Sequence, residues 1–334
     1  MSHRPSGAAG AGGERGLLAA AQDGDEHAFV ALTSSHRRAL HVHCYRLLGS
    51  VHDADDALQE TLLRAWKGLP RFEPRGSLGG WLHRIATNVC LRMIERRDTT
   101  APPHAHMQPY PDRLLADVED GDGDPHELAA MREAVGLAFV SAMQLLPAKQ
   151  RAVLVLRDAL DWPARDVAEL LDDTVPAVNS ALQRARDRLA REREAGTLAR
   201  DHRPGTPDVE AAVMRRFQEA WAQVDVPQIV ALLTDDATLT MPPIDVRVEG
   251  AEAVGAFFAT EPVGGRLDRI ALVPTRAGGR PGFACYADED GAGEHTAYGV
   301  MVFALRGERI ATITGFPNDT DLFERLGAPL VLRG

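Results

Sequence analysis

Between residues 53 and 69 the apolar side chains Ala54, Ala57, Leu58, Leu62, Ala65 and Leu69 recur at three- and four-residue intervals. That period predicts a helix burying one stripe, with Asp56, Gln59, Glu60 and Arg64 left outside it. The same period covers residues 16–97, so this part reads as all-helical behind a flexible tail at residues 1–13. A turn-forming run, Phe72-Glu73-Pro74-Arg75-Gly76, precedes Ser77, whose hydroxyl can cap a helix running to about Arg97. On that helix Leu78, Leu82, Ile85, Ala86 and Val89 form the buried side, while Trp81, Arg84, Asn88, Arg92 and Arg96 share a separate face. Helical period returns at residues 127–195, broken at Pro147 and at Asp161-Trp162-Pro163.

From residue 205 the pattern changes. Helical stretches at residues 209–224, 227–233 and 251–259 accompany alternating runs at 237–241, 269–273, 283–287, 297–305 and 309–314, the last two joined by Arg306-Gly307-Glu308. Helices with antiparallel strands predict an α+β domain. Residues 99–126 hold five prolines and six acidic residues, a composition that predicts a linker. Such a segment reaches ~95 Å fully extended and averages about 30 Å as a coil. The expected organisation is multidomain: an all-α domain at 14–98, the acidic linker at 99–126, a second all-α domain at 127–195 and an α+β domain at 205–334.

Charge sharpens this division. The 334 residues carry a net charge of −11, which alone argues against nucleic-acid binding. Residues 1–98, however, hold 13 Lys/Arg against 11 Asp/Glu, and residues 174–203 hold 7 against 4, whereas residues 204–334 hold 11 against 19. The acidity therefore lies in the linker and the last third. Cys44, Cys90 and Cys285 lack Cys-x-x-Cys spacing, which excludes a disulfide framework and a cysteine-rich zinc site and leaves three buried thiols. His36, His41 and His43 do not share a helix face, so no metal is expected. No apolar run approaches the roughly 18 residues of a membrane span, and a cytoplasmic protein without a membrane partner is expected.

The sharpest motif occupies residues 163–189. Ala164, Val167, Ala168 and Leu171 share a face of one helix, Thr174 can cap a second, and Pro176 is tolerated in its first turn. The second helix buries Val178, Leu182, Ala185 and Leu189 and projects Asn179, Ser180, Gln183, Arg184 and Arg186. Arginine donates in a fork to guanine and Asn or Gln pairs with adenine, so this helix suits the major groove. A solvated surface hairpin is the alternative. Against it stands the strip Arg184, Arg186, Arg188, Arg191 and Arg193, which could meet phosphates.

Residues 146–189, LPAKQRAVLVLRDALDWPARDVAELLDDTVPAVNSALQRARDRL, resemble region 4 of extracytoplasmic-function sigma factors. Residues 53–69, DADDALQETLLRAWKGL, resemble region 2.2 of that family, and residues 77–97, SLGGWLHRIATNVCLRMIERR, its regions 2.3 to 2.4. The last third is similar to a SnoaL-like domain of the nuclear-transport-factor-2-like fold, and Thr240-Met241-Pro242-Pro243 fits the subgroup that carries one. Two positions depart from the family pattern. Asp172 stands where the turn usually has glycine, and Arg92 where an acid is common.

The resemblance implies a non-enzymatic subunit that binds core RNA polymerase and promoter DNA without a cofactor. Asp56, Gln59, Glu60 and Arg64 would dock the polymerase; Trp81, Arg84, Asn88, Arg92 and Arg96 would face the minus-10 element; Asn179, Ser180, Gln183, Arg184 and Arg186 the minus-35 element. Holding an unpaired base outside the stack suits the amide of Asn88. For Trp81, beside the apolar stripe, a core role competes with stacking. The linker would bridge the promoter elements and thread toward the polymerase's RNA path. The C-terminal domain would regulate in cis, with an unidentified small ligand as a candidate partner. Two rival readings remain: a ligand-responsive helix-turn-helix regulator, and a DNA-binding module fused to a cyclase- or isomerase-like enzyme using Asp235, Asp236, Asp288, His295 or Tyr298.

Overall fold

The computed structural model describes residues 8–73, 76–97, 106–116, 136–194 and 206–332. Two compact units divide the chain, one of Met1–Arg97 with Pro147–Gln183, the other of Asp98–Leu146 with Arg184–Gly334.

The first unit begins with α1 (Ala8–Gln22), α2 (Glu26–Ser34), α3 (Arg37–Leu48), α4 (Val51–Gly68) and α5 (Leu78–Glu95). Helix α1 starts inside the expected tail. Gly49, at φ 76°, ends α3 in the left-handed conformation that glycine adopts without steric cost, and the Ser50 hydroxyl then accepts from Asp53 N–H at 3.2 Å to start α4. Ala54, Ala57, Ala65 and Leu69 are fully buried, as the stripe requires, together with Thr61, whose hydroxyl donates to the Ala57 carbonyl at 2.6 Å.

Two short helices, α6 (Arg113–Ala116) and α7 (Leu137–Gln144), belong to the second unit. The first unit resumes with α8 (Ala148–Leu154), which continues as a π-helical turn at Val155–Ala159, then α9 (Ala164–Leu170) and the beginning of α10 (Val175–Glu194). Arg151 on α8 is buried and donates to the Leu47 carbonyl at 2.5 Å. It meets α3 at its C-terminal end, where the helix dipole favours a cation. Burial lowers the Arg151 pKa to about 10.

The second unit is built on a seven-stranded sheet. Its strands are β1 (Leu233–Met241), β2 (Ile244–Glu249), β3 (Ile270–Ala277), β4 (Arg280–Ala287), β5 (His295–Arg306), β6 (Arg309–Pro317) and β7 (Val331–Leu332). The order is β2-β1-β6-β5-β4-β3 with β7 on β5, and only β1 and β6 run parallel. Helices α11 (Pro207–Ala222), α12 (Val226–Ala231) and α13 (Ala251–Thr260) supply Phe217, Trp221, Ile229 and Phe258 to one core, where they meet Phe283, Cys285, Phe303 and Leu305 of the sheet. Trp221 Nε1 donates to the Ile270 carbonyl at 3.2 Å, fixing α11 over β3.

The opposite sheet face is also buried. Ala284, Tyr286, Val300, Val302 and Phe316 meet Leu322 and Phe323 of α14 (Thr320–Leu326), and with them Met107 and Leu137. This corrects the linker expectation for residues 106–116, since Met107, Tyr110 and Leu115 are buried. These few apolar residues cannot form a core alone, but the sheet provides one. Pro111 bridges to Ala277, Gly278 N–H donates to the Tyr110 carbonyl at 2.6 Å, and Gly279 N–H donates to Asp112 Oδ1 at 2.8 Å. Both glycines of this turn have positive φ, 62° and 72°, which aims their N–H groups at the incoming segment. Gln108 Nε2 donates to Asp319 Oδ2 at 2.8 Å, and Arg113 donates to the carbonyls of Glu324 and Arg325. The remainder of the linker, the N-terminal residues before Ala8 and the break around residues 202–204 lie outside the described residues.

Candidate nucleic-acid interface

Helix α5 starts where expected, with Gly80 N–H donating to the Ser77 hydroxyl at 3.1 Å. Leu78, Leu82, Ala86 and Val89 are buried and Ile85 is half-buried, so the stripe holds. Asn88, Arg92 and Arg96 are exposed on the other side. Trp81 is half-buried. Its ring lies 4.7 Å from that of Phe72, and a Cβ at Gly68 would come within 3.3 Å of the indole, so the tryptophan is braced between the end of α4 and the following loop. Arg84 is half-buried against the helix-turn-helix segment: Nη1 donates to Glu169 Oε1 at 3.0 Å and the guanidinium lies 5.7 Å from the centre of the Trp162 ring.

The helix-turn-helix forms as read. Asp172 takes the left-handed conformation at φ 49°, the position expected to favour glycine, and Asp173 N–H closes the end of α9 on the Ala168 carbonyl at 2.8 Å. The Thr174 hydroxyl accepts from Ala177 N–H at 3.3 Å to begin α10. Val178, Leu182 and Ala185 are buried and Leu189 is half-buried. Ala181 joins this stripe and was missed, although it falls three residues after Val178 and four before Ala185. Asn179, Ser180, Gln183, Arg184 and Arg186 are all exposed on the opposite half, continued by Arg188 and Arg191. The side chain of Arg193 lies outside the described residues.

On α4, Asp56 and Gln59 are exposed, and Glu60 Oε1 accepts from Arg64 Nε at 2.6 Å across one helical turn. Leu63 lies on the same polar side with 55% of its surface exposed. Sequence reasoning passed over it because Leu62, its neighbour, satisfied the buried stripe. An apolar residue amid four polar ones was the available signal.

Of the candidate acid–base residues of the α+β domain, Asp288 and His295 flank the last paired positions of β4 and β5, Ala287 and Thr296, while Asp235 and Asp236 lie on β1. Asp235 and Asp236 pair on the surface with Arg309 at 3.6 Å and Arg306 at 3.0 Å, while Asp288 accepts from Gly293 N–H at 3.1 Å. Tyr298 is half-buried beside the helical core, and burial raises its pKa. All three cysteines are buried and free. Among the described residues no group of three or more His, Cys, Asp or Glu side chains is arranged to hold a metal ion, and no helix is long and apolar enough to cross a membrane. Buried His43 and half-buried His83 instead form a pair, ring centres 5.1 Å apart, in which His43 Nε2 meets the Thr87 hydroxyl at 2.9 Å and His83 Nδ1 the Gly79 carbonyl at 2.8 Å.

Comparison with known proteins places the chain in a family. Residues 32–100 match Sigma-70 region 2 and residues 136–189 match Sigma-70, region 4. The ECF RNA polymerase sigma factor SigG of Mycobacterium tuberculosis is 37% identical over 316 residues, covering 90% of this chain and 84% of that protein. SigM of the same species is 35% identical over 176 residues, covering 52% of this chain and 82% of its own. The crystal structure of the Mycobacterium tuberculosis extracytoplasmic function sigma factor SigJ shares the fold, with a TM-score of 0.60 at 22% identity over 90% of this chain and 99% of that one. Two matched helical regions and a relative aligned across both of them and the α+β part establish that the chain belongs to the extracytoplasmic-function family of RNA polymerase sigma factors.

Proposed function

We propose that the chain binds core RNA polymerase through α4 and directs it to promoters whose minus-10 and minus-35 elements are read by α5 and α10. The observation that carries this reading is the pair of exposed polar faces on the two helices matched to regions 2 and 4. Asn179, Ser180, Gln183, Arg184 and Arg186 supply donors and acceptors of the kind that distinguish base edges in a major groove. Asn88, with Arg84, Arg92 and Arg96 along one face, supplies an amide for an unpaired base and cations for the strand, while Trp81 holds the helix in place. Asp56, Gln59, Glu60 and Arg64 form the polymerase-docking face, with Leu63 as its apolar centre.

The α+β domain regulates initiation in cis. The support is its hold on residues 106–116, the segment between the promoter-reading regions, through the β3–β4 turn and α14. A segment gripped in this way cannot also follow a path through the polymerase, so docking and initiation compete. Mapping transcript 5′ ends after induced overproduction of the chain tests the first part: new start sites should share one pair of elements upstream. Start sites with no common sequence at either position would remove the promoter-selecting role.

A further inference from the structure

Arg84, on the minus-10 face, already has partners of the chemistry a nucleotide offers. Glu169 on α9 accepts from its Nη1 at 3.0 Å, and the Trp162 ring lies 5.7 Å from its guanidinium carbon. An anionic oxygen and a π-face are the two contacts that a nucleotide offers an arginine, through phosphate and base. Both partners come from the region-4 part of the same compact unit, and both are held on short rigid elements. Asp161, in the left-handed region at φ 50°, turns the chain so that Trp162 N–H donates to the Leu156 carbonyl at 2.9 Å, and the Trp162 carbonyl accepts from Arg157. Pro163 then starts α9, which carries Glu169. The buried bond from Arg151 to Leu47 anchors the same segment to α3, while the Arg84–Glu169 pair itself lies at the surface, its side chains 33% and 69% exposed.

We infer that Glu169 and Trp162 occupy the nucleotide position at Arg84 in the free chain, so that α9 must leave before promoter DNA engages there. This rests on the assignment of Arg84 to the minus-10 face made above. Asn88, Arg92 and Arg96 stay exposed in this state, so the block falls on one contact of the face and weakens binding without abolishing it. Arg84 also lies at a contact between the region-2 and region-4 segments, which gives the block a consequence for order: region 4 moves first and Arg84 is released by that movement.

The test uses the free full-length chain and a fluorescein-labelled single strand carrying the minus-10 sequence of a promoter mapped for it, followed by anisotropy. Glu169→Gln removes the anion while keeping its size, and is expected to tighten binding about two- to fivefold, the range of a partly exposed ion pair. Asp166→Asn is the control, because it takes one charge from the same helix at a residue whose ion pair is with its neighbour Arg165. It should give no comparable gain. Arg84→Gln should weaken binding, and Glu169→Gln should then add nothing in its presence. A Glu169→Gln chain that binds no tighter than the parent, or an equal gain from Asp166→Asn, would overturn the block while leaving Arg84 on the DNA face. An Arg84→Gln chain that binds as the parent does would remove Arg84 from that face, and the block with it.

Discussion

Replacing Asp112 by alanine removes two contacts that hold residues 106–116 on the sheet: the bond from Gly279 N–H at 2.8 Å and the ion pair with Arg276 at 3.6 Å. A hydrogen bond to a charged group contributes roughly 1.5–3 kcal/mol. The Asp112 side chain is only 20% exposed, so most of that applies, whereas Arg276 is half exposed and also paired with Glu210 at 3.0 Å, so the ion pair adds little. A net loss of about 2 kcal/mol corresponds to an undocked population about 30 times larger. Met107 and Tyr110 still anchor the segment by burial, so undocking stays a minority event. Trypsin reads this population directly, because cleavage after Arg113 needs the backbone free of the β3–β4 turn and of the Glu324 and Arg325 carbonyls. When reclosing outpaces cleavage, the rate follows the open fraction. The Asp112→Ala chain should be cut at Arg113 about 30 times faster than the parent, with cleavage elsewhere unchanged. Equal rates at Arg113 would show that these contacts do not hold the segment, and the argument for regulation through it would fall.

Gln183→Ala should cost roughly 1–3 kcal/mol on a matched minus-35 element and far less on a mutated one, whereas Arg191→Ala should weaken both alike, which binding titrations on the two duplexes decide. Leu63→Asp should reduce co-elution with core polymerase while leaving the thermal unfolding midpoint nearly unchanged, since Leu63 is exposed. Burial, with His83 and then Arg46 nearby, holds His43 well below the usual imidazole range, and burial likewise lowers His83. An unfolded chain therefore binds more protons below about pH 6.5, so stability present above that pH is lost as pH falls, by up to ~1.4 kcal/mol per pH unit for each imidazole. The unfolding midpoint should drop between pH 7 and 5.5, and His43→Gln, which keeps a partner for Thr87, should flatten the drop. A midpoint flat across that range in the parent would contradict the neutral pair.

The helical parts were legible because their signals are local. Ser50, Ser77 and Thr174 cap the helices they precede, and the stripes of α4, α5 and α10 follow from spacing alone. Asp172 was readable for the same reason, as a left-handed position identified by its place between two helices. The docking of residues 106–116 was not legible. Its contacts join distant positions, Asp112 with Gly279 across 167 residues and Gln108 with Asp319 across 211, and no periodicity within the segment encodes a partner so distant. Strand β4 shows the same limit: Phe283, Cys285 and Ala287 face one core and Ala284 and Tyr286 the other, so a run buried on both faces conceals that the second face is covered by α14 together with Met107 and Leu137. The meeting of Arg84 with Glu169 is likewise a contact across 85 residues that depends on how two helical segments pack.

Run-off transcription tests the central claim most directly: purified core polymerase, the full chain, and a linear template carrying one mapped promoter. The account expects a transcript of defined length only when the chain is present, lost on Asn88→Ala without loss of core binding. A chain that binds core polymerase stably yet yields no promoter-dependent transcript from any mapped fragment would contradict it.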